Sequence, residues 1–331
     1  MPLKVPDPTD LARRVALTAA VRDTDVIEKV EDAGTIRVLE DGRRTQVMHN
    51  GLLIDEHCYG EVLTGIIEEL RGHHEPQEEL VFHELLARLK GEGADPKSRT
   101  MIELGAFWAY YSMWFATELP GSRTVMVEPD PHNLEVGKKN FALNGIETGD
   151  WIHAAVGFDD GGEIWLACES DDKVRKVPTV TLEGILRERG LDHCDLLLCD
   201  TQGAELAVLE ASRDAITAGK LRFAMISTHH QLWSGDALTH QRCLALVEDL
   251  GGHVIAEHSI SESCSGDGLI AVSFDPRDAD LTVPVTHVRA KDSLFGEPEF
   301  ALADARGWRG PARHYGGRAV RKVQSRLRRA S

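Results

Sequence analysis

Between Thr100 and Asp130 the chain reads as strand, tight glycine turn, helix, strand and acid. The apolar run Met101-Ile102 leads into Glu103-Leu104-Gly105. A dense apolar segment continues through Phe115 and Leu119 until Pro120-Gly121 breaks it, and Thr124–Val127 then ends on Glu128-Pro129-Asp130. This pattern predicts the first half of a doubly wound α/β sheet. A glycine at the end of the first strand lets the backbone approach a ligand, and a carboxylate at the end of the second can hold both hydroxyls of a ribose. Glu128 follows Gly105 by about twenty positions, the spacing of an adenosine-binding unit.

The remaining chain extends this unit. Trp151–Val156, Glu163–Ala167, Cys194–Cys199 and Phe223–Ser227 read as strands, and His253–Glu257 with Leu269–Phe274 reads as a closing hairpin. Pro131–Leu143, the segment around Leu182–Leu186, the one opened by Gly203-Ala204-Glu205, and Leu238–Leu250 read as helices. The expectation is a mostly parallel sheet with an antiparallel end. Upstream, Asp41-Gly42 between Thr35–Leu39 and Thr45–Met48 predicts a hairpin with a type I′ turn. Leu52–Ile54 adds a strand, and Glu61–Leu70 and Leu80–Leu89 have helical spacing. A short helix is expected around Leu11–Val21. The division is an N-terminal extension over 1–29, an α+β cap over 30–95, the main domain over 96–280, and a C-terminal segment over 281–331.

Composition narrows the function. The 331 residues carry a net charge of −17, which argues against a nucleic-acid partner. From Arg306 onward there are nine basic residues and no acidic one, with Val320, Val323 and Leu327 at helical spacing. That tail suits a solvated end or weak contact with an anionic surface. Six cysteines without a CxxC pair suit reduced thiols in a cytoplasmic protein. No apolar run reaches the length of a transmembrane helix and no secretory leader is evident, so no transmembrane segment is expected.

Four stretches carry a family resemblance: MIELGAFWAYYSMWF from Met101, VMVEPDPHNLEVGKKNFALNG from Val125, VPTVTLEGIL from Val177, and CDLLLCDTQGAELAVLEAS from Cys194. Over about residues 75–275 the chain resembles the FkbM-type S-adenosylmethionine-dependent methyltransferases. The resemblance implies a Rossmann-like, seven-stranded class I methyltransferase sheet and methyl transfer, usually to a hydroxyl. It assigns Glu103, Gly105 and Ala106 to the first cofactor motif, Glu128 to the ribose, with Asp130 beside it, and Asp200 and Glu205 to the acids after a central strand. Glu75-Pro76 matches an element ahead of the domain that lies near the cofactor. One departure stands out. The usual Asp-x-Gly-Ala-Asn-x-Gly has Phe107 in place of Asn and Ala109 in place of the last Gly.

Transfer to oxygen requires removal of the hydroxyl proton or stabilisation of the developing charge. A histidine serves the first and a carboxylate-held divalent metal the second. His229 and His230, at the end of a strand, are the expected bases, with Asp200 as the accompanying acid. No H-x-x-x-H or H-E-x-x-H spacing exists, so no metal site is expected. Asp236 and His240, four apart, are candidates for a local pair. The polar loop from Glu257 to Gly268 is expected to overlie the site. Each residue also has a plainer reading. Gly105 suits any tight turn, Glu128 and Asp200 could cap helices, and Glu205 could occupy a first helical turn. The expected acceptor is a sugar hydroxyl of a glycan or glycosylated natural product. The rivals are a non-catalytic binding protein with an altered cofactor loop, a metal-dependent hydrolase built on the histidines, and an NAD enzyme. The last is disfavoured by the incomplete G-x-G-x-x-G.

Overall fold

Helix α1 (Pro8–Ala19) leads to three short strands, β1 (Ile36–Val38), β2 (Arg44–Val47) and β3 (Leu53–Asp55), which pair antiparallel in that order. This computed structural model describes residues 8–56, 58, 60–157, 159–263 and 265–288. Cys264 and the basic segment from Arg306 fall outside the described residues. The β1–β2 turn differs from expectation. Gly42 has φ 84°, but Asp41 is not left-handed. Gly42 N–H donates to Leu39 O and Leu39 N–H to Arg43 O, so one left-handed residue closes a type I turn and no I′ turn forms. Helices α2 (Glu61–Glu69) and α3 (Pro76–Gly91) complete the cap. Pro76 opens α3 with Glu78 and Glu79 in its first turn, and Arg88 and Lys90 close it, the charge order that a helix dipole favours.

The main sheet follows. Strand β4 (Thr100–Leu104), α4 (Tyr110–Glu118), β5 (Arg123–Val127), α5 (Pro131–Leu143) and β6 (Gly149–Ile152) form its first half. The chain then leaves the sheet. Ala155–Val156 (β7), Glu163–Ala167 (β8) and Val174–Val180 (β9) make a separate three-stranded sheet in the order β7-β9-β8. The expected strand over 151–156 is therefore divided, with His153 and Ala154 between its halves. Helix α6 (Leu182–Arg189) returns the chain to β10 (Cys194–Cys199). Thr181 caps α6 by accepting the Gly184 N–H. Helices α7 (Glu205–Ala211) and α8 (Arg213–Thr217), strand β11 (Leu221–Thr228), helices α9 (Gln231–Ser234) and α10 (Thr239–Asp249), and strands β12 (His253–His258) and β13 (Gly268–Ser273) finish it.

Among the described residues, seven strands form the main sheet in the order β12-β13-β11-β10-β4-β5-β6, with β13 antiparallel to both neighbours. The order reverses between β4 and β10, which opens a crevice at their C-terminal ends. Central strands are buried on both faces, yet side chains still alternate. Met101, Leu196 and Leu198 enter the aromatic layer with Phe82, Tyr110 and Trp114, whereas Ile102, Leu104 and Leu197 enter the aliphatic layer with Ile185 and Leu209. No helix among the described residues is long and apolar enough to cross a membrane.

Two polar devices join cap to sheet. Asn144 on the α5 side accepts the Leu53 N–H at 2.8 Å and donates to Leu53 O at 2.7 Å. Asn140 accepts the Asp55 N–H at 3.1 Å and donates to Trp108 O at 3.1 Å. The second device is the buried Glu79 carboxylate, which accepts the backbone N–H of His74 (2.7 Å) and Glu75 (3.3 Å), pairs with His74 Nδ1 at 2.6 Å, and bonds His73 Nδ1. Burial opposes ionisation of Glu79, but the charges of His73 and His74 outweigh it and hold the carboxyl well below its usual range. His74 is correspondingly pushed up to about 10, because Glu79 and Glu75 overcome the desolvation that would lower it. Replacing Glu79 by Gln leaves a buried imidazolium without its counter-charge. It should lower unfolding free energy by about 3 kcal/mol or more. Urea denaturation of the two proteins measures this, and a loss within the range of an ordinary surface change would show that the cluster is not a charged one.

Candidate functional site

The C-terminal ends of β4, β5, β10 and β11 deliver Glu103, Glu128, Asp200 and His229 to one cavity of about 560 Å³. Gly105, Ala106 and Asp130 also line it, as do Glu75 and Glu78 at the start of α3. Helix α1 closes one side with Val15, together with Val62, Leu63 and Ile66 of the cap. The β8–β9 sheet contributes Ile164 and Leu166, and the loop before β13 contributes Ser265 and Asp267.

The β4 turn is built for close approach. Gly105 has φ 79°, and a Cβ there would stand 1.8 Å from Asp200 O, so no other residue fits between β4 and β10. Glu103 accepts the Ser112 N–H at 3.2 Å, and burial pushes its carboxyl up to about 8. Glu128 Oε2 accepts the Phe107 N–H at 3.0 Å and its Oε1 the Asp130 N–H at 2.8 Å, while burial raises this carboxyl to about 7. It therefore braces the loop from within and does not cap α5. That cap is Asp130, which accepts the His132 N–H and clasps Ser170 through the backbone N–H and the hydroxyl, both at 2.9 Å.

The loop between Gly105 and α4 holds a compromise. Phe107 has φ 37° and Ala109 has φ 55°, the left-handed region that suits Gly and Asn. These are the two positions that depart from the family pattern. Here residue types that do not favour the left-handed region adopt it.

At the other side of the cavity, His229 sits among three carboxylates. Its Nδ1 lies 2.9 Å from Glu205 Oε1, and its Nε2 lies 3.2 Å from Asp200 Oδ1 and 3.5 Å from Asp267 Oδ1. Glu205 is buried and also accepts the Gly203 N–H at 2.8 Å and the Thr201 hydroxyl at 3.2 Å. Burial disfavours the imidazolium, but the charges of Asp267 and Asp200 and the bond to Glu205 hold His229 well above its ordinary range. Asp267 is itself raised to about 7 by desolvation and by Asp200 and Glu75, against the pull of His229. Glu78 is raised well above its usual range by burial and by Glu75 and Asp200, and it accepts the Ser227 hydroxyl at 2.9 Å.

The two expected bases separate. His229 lines the cavity. His230 turns away to cap α9, its Nδ1 accepting the Leu232 N–H at 3.3 Å, and burial lowers it to about 4. Asp200 has a half-exposed side chain and is not a helix cap, since Ala204 holds that place on α7. Asp236 and His240 do not pair. Asp236 lies before α10 and bonds Arg242 at 2.8 Å, while His240 contacts Thr228 Oγ1 at 2.7 Å and Glu257 at 2.8 Å. Of the polar loop, Ser265 and Asp267 line the cavity, and Glu257 does not. Glu78, Tyr111 and Asp267 are the site residues that sequence reasoning missed. Only the polar character of the loop pointed toward Asp267. Among the described residues, His49, His73 and Glu79 bring potential metal ligands within 4.8 Å of one another, but none of the three lines the cavity.

Residues 91–254 match the family described as the methyltransferase FkbM domain. The chain carries an FkbM methyltransferase domain. Its seven-stranded α/β sheet is the class I methyltransferase sheet that the resemblance implied. No curated protein matches the chain. Solved structures similar to it include the METTL16 methyltransferase domain, at 16% identity and a TM-score of 0.42, covering 70% of this chain and 87% of that one. Another is the N-terminal domain of human METTL16 in complex with SAH, at 16% identity and a TM-score of 0.41, covering 81% and 95%. A third is the precorrin-6y C5,15-methyltransferase of Geobacter metallireducens, at 14% identity and a TM-score of 0.37, covering 58% and 86%.

The strained FkbM loop yields a direct expectation. Ala109→Gly should raise unfolding free energy by about 1 kcal/mol, because relief of the left-handed strain exceeds the added freedom of the unfolded chain. Thermal and urea denaturation measure the change, and a loss of stability would mean that Ala109 bears no strain.

Proposed function

We propose that this protein is an S-adenosylmethionine-dependent O-methyltransferase whose acceptor is a sugar hydroxyl of a glycan or glycosylated natural product. The observation that carries the reading is the pairing of two features in one cavity: a glycine-turned, acid-ended nucleoside seat, and a histidine held by carboxylates at the adjoining strand ends. Glu103, Gly105, Ala106, Glu128 and Asp130 form the cofactor side, with Glu75 and Asp200 bordering it. The donor set fits the group. Glu128 lines the cavity at the end of β5, and its acceptor oxygens suit the two ribose hydroxyls. Gly105 and Ala106 line the cavity beside it, where β4 passes closest to the Asp200 backbone. When bound, the cofactor supplies a methyl group already activated on a sulfonium, so the protein's task is positioning and proton removal.

His229 is the residue for that removal. Glu205 accepts a hydrogen bond from Nδ1–H and fixes the ring, leaving Nε2 toward Asp200, Asp267 and the cavity. His229 Nε2 would accept the hydroxyl proton as the acceptor oxygen takes the methyl group that the bound cofactor would supply. Asp200 accepts a hydrogen bond from the acceptor and balances the imidazolium. His230, committed to capping α9, is not needed in this scheme. The compartment we propose, on the ground of its thiols, is the cytoplasm.

Two experiments test the reading. Calorimetric titration with S-adenosylhomocysteine should show binding that Glu128→Ala weakens about tenfold or more, through lost charge-assisted hydrogen bonds. NAD should not bind, and unchanged affinity in the variant removes the ribose role. The second is a pH profile. His229 acts as a base only when neutral, and its carboxylates favour the charged form, so turnover should rise with pH through a midpoint above the ordinary histidine value near 6.5. Asp267→Asn removes a charge that raises His229 and should move this rise to lower pH. His229→Ala should lower turnover while sparing S-adenosylhomocysteine binding, and His230→Ala should not produce that split. A profile that Asp267→Asn leaves in place would assign the base elsewhere.

A further inference from the structure

The cavity has a charge bias that transfer to a neutral hydroxyl does not require. Among the described residues lining it there is no Lys or Arg, and the basic groups are His74 and His229. Both are already engaged with carboxylates, His74 with Glu79 and Glu75 and His229 with Glu205, Asp200 and Asp267. Around His229, Glu75, Glu78, Asp200 and Asp267 all face the same space and act on one another. The carboxyl of Glu78 responds to Glu75, Asp200 and Asp267, and that of Asp267 responds to Asp200 and Glu75. Like charges at such range are costly unless protons or a bound cation relieve them. A phosphate- or carboxylate-bearing acceptor would meet repulsion with no basic partner.

A second observation points to a ligand with hydrogen-bond donors. Tyr111 lines this part of the cavity, is 5% exposed, and has a hydroxyl buried without a hydrogen-bond partner. Burial, with Glu78 and Glu75 close by, pushes its ionisation well above the usual phenol range and keeps it neutral. A buried phenol without a partner is a standing cost that a bound group can remove. An ammonium offers three donors and needs only acceptors. Carboxylate oxygens and a phenol oxygen are such acceptors.

We propose that the acceptor carries a protonated amine beside the hydroxyl that is methylated, an amino sugar being the chemical class, and that Glu75, Glu78, Asp200, Asp267 and the Tyr111 hydroxyl seat that amine. This rests on the hydroxyl-methylating reading above and narrows it. The cation takes over the relief that a proton at Asp267 otherwise gives, so its binding near pH 7 releases protons to the solvent. Glu75 and Asp200 also border the cofactor side, and Glu78, Asp267 and the Tyr111 hydroxyl are the members of the set that the cofactor side does not include.

The test uses two nearly isosteric probes, methyl glucosaminide and methyl glucoside, which differ in an ammonium against a hydroxyl. Each is titrated onto the full chain loaded with S-adenosylhomocysteine, at pH 7, in buffers of differing ionisation enthalpy. The expected result is that the amine binds about tenfold or more tightly, with net proton release. Glu78→Gln and Tyr111→Phe should reduce that preference while leaving S-adenosylhomocysteine affinity unchanged. Equal binding of the two probes, tighter binding of the neutral one, or no binding of either at millimolar concentration overturns the proposal. So does a Glu78→Gln variant that loses S-adenosylhomocysteine affinity, which would give Glu78 to the cofactor. In each of those cases wild-type binding of S-adenosylhomocysteine still supports the methyltransferase reading, and its failure alone would remove that.

Discussion

The buried Glu79 carboxylate is the interaction on which the site's shape depends. It takes two backbone N–H groups at the mouth of α3 and two imidazoles from the residues just before it. An isolated carboxylate at that depth would be neutral. With His73 and His74 against it the charge is stable, and the chain entering α3 is held in one path. That path decides where Glu75 and Glu78 point, and both line the cavity. The same cluster reaches the sheet through His49, which stacks on His73 with ring centroids 4.2 Å apart and meets the Tyr110 hydroxyl at 2.8 Å. The next residue, Tyr111, lines the cavity. A single ion cluster therefore orients side chains on both the cap and the sheet.

The parts of the site that were legible in the sequence belong to elements that announce themselves locally. Glu103 and Gly105 end one strand, Glu128 ends the next, and Asp200 and His229 end two more, so the general rule for open α/β sheets gathers them without any knowledge of tertiary contacts. Glu78 could not be read that way. It sits in the first turn of α3, where an acid is explained by the helix dipole, and its second role arises only because α3 packs across the strand ends. Tyr111 looked like one more aromatic in an apolar helix. Asp267 lay in a loop of serines and glycines, with nothing local to distinguish it from an ordinary turn. His229 and His230 were indistinguishable as neighbours in sequence. What separates them is the end of β11, since one residue continues the strand's path and the next begins the cap of α9.

The fold was read less well where the chain leaves the main sheet. Strand β9 carries Arg175 and Lys176 in a half-exposed sheet, so its apolar signal is weak, and its partner β8 exposes Ile164 and Trp165. The expected continuous strand through Val156 has the right composition, but β6 and β7 serve different sheets. The loop after β4 shows the reverse case. Phe107 and Ala109 stand where the family pattern has a polar and a permissive residue, yet both adopt the left-handed geometry there. Glu128, bonded to the Phe107 N–H, and Asn140, bonded to Trp108 O, supply the constraint that their own side chains do not.

Asn140 also bears on how ligands come and go. One amide group holds the Asp55 backbone in the cap and the Trp108 carbonyl in the nucleoside loop. A hinge that lifted the cap's strand sheet away from α5 would release that loop at the same moment. Admission by such a swing would loosen the seat it was meant to fill. Val62 of α2, Ile164 of β8 and Trp233 of α9 line the cavity and keep partly exposed side chains, so the apolar wall they form reaches the protein surface. Entry past that wall would leave the nucleoside seat assembled, so exchange of one ligand need not disturb the other.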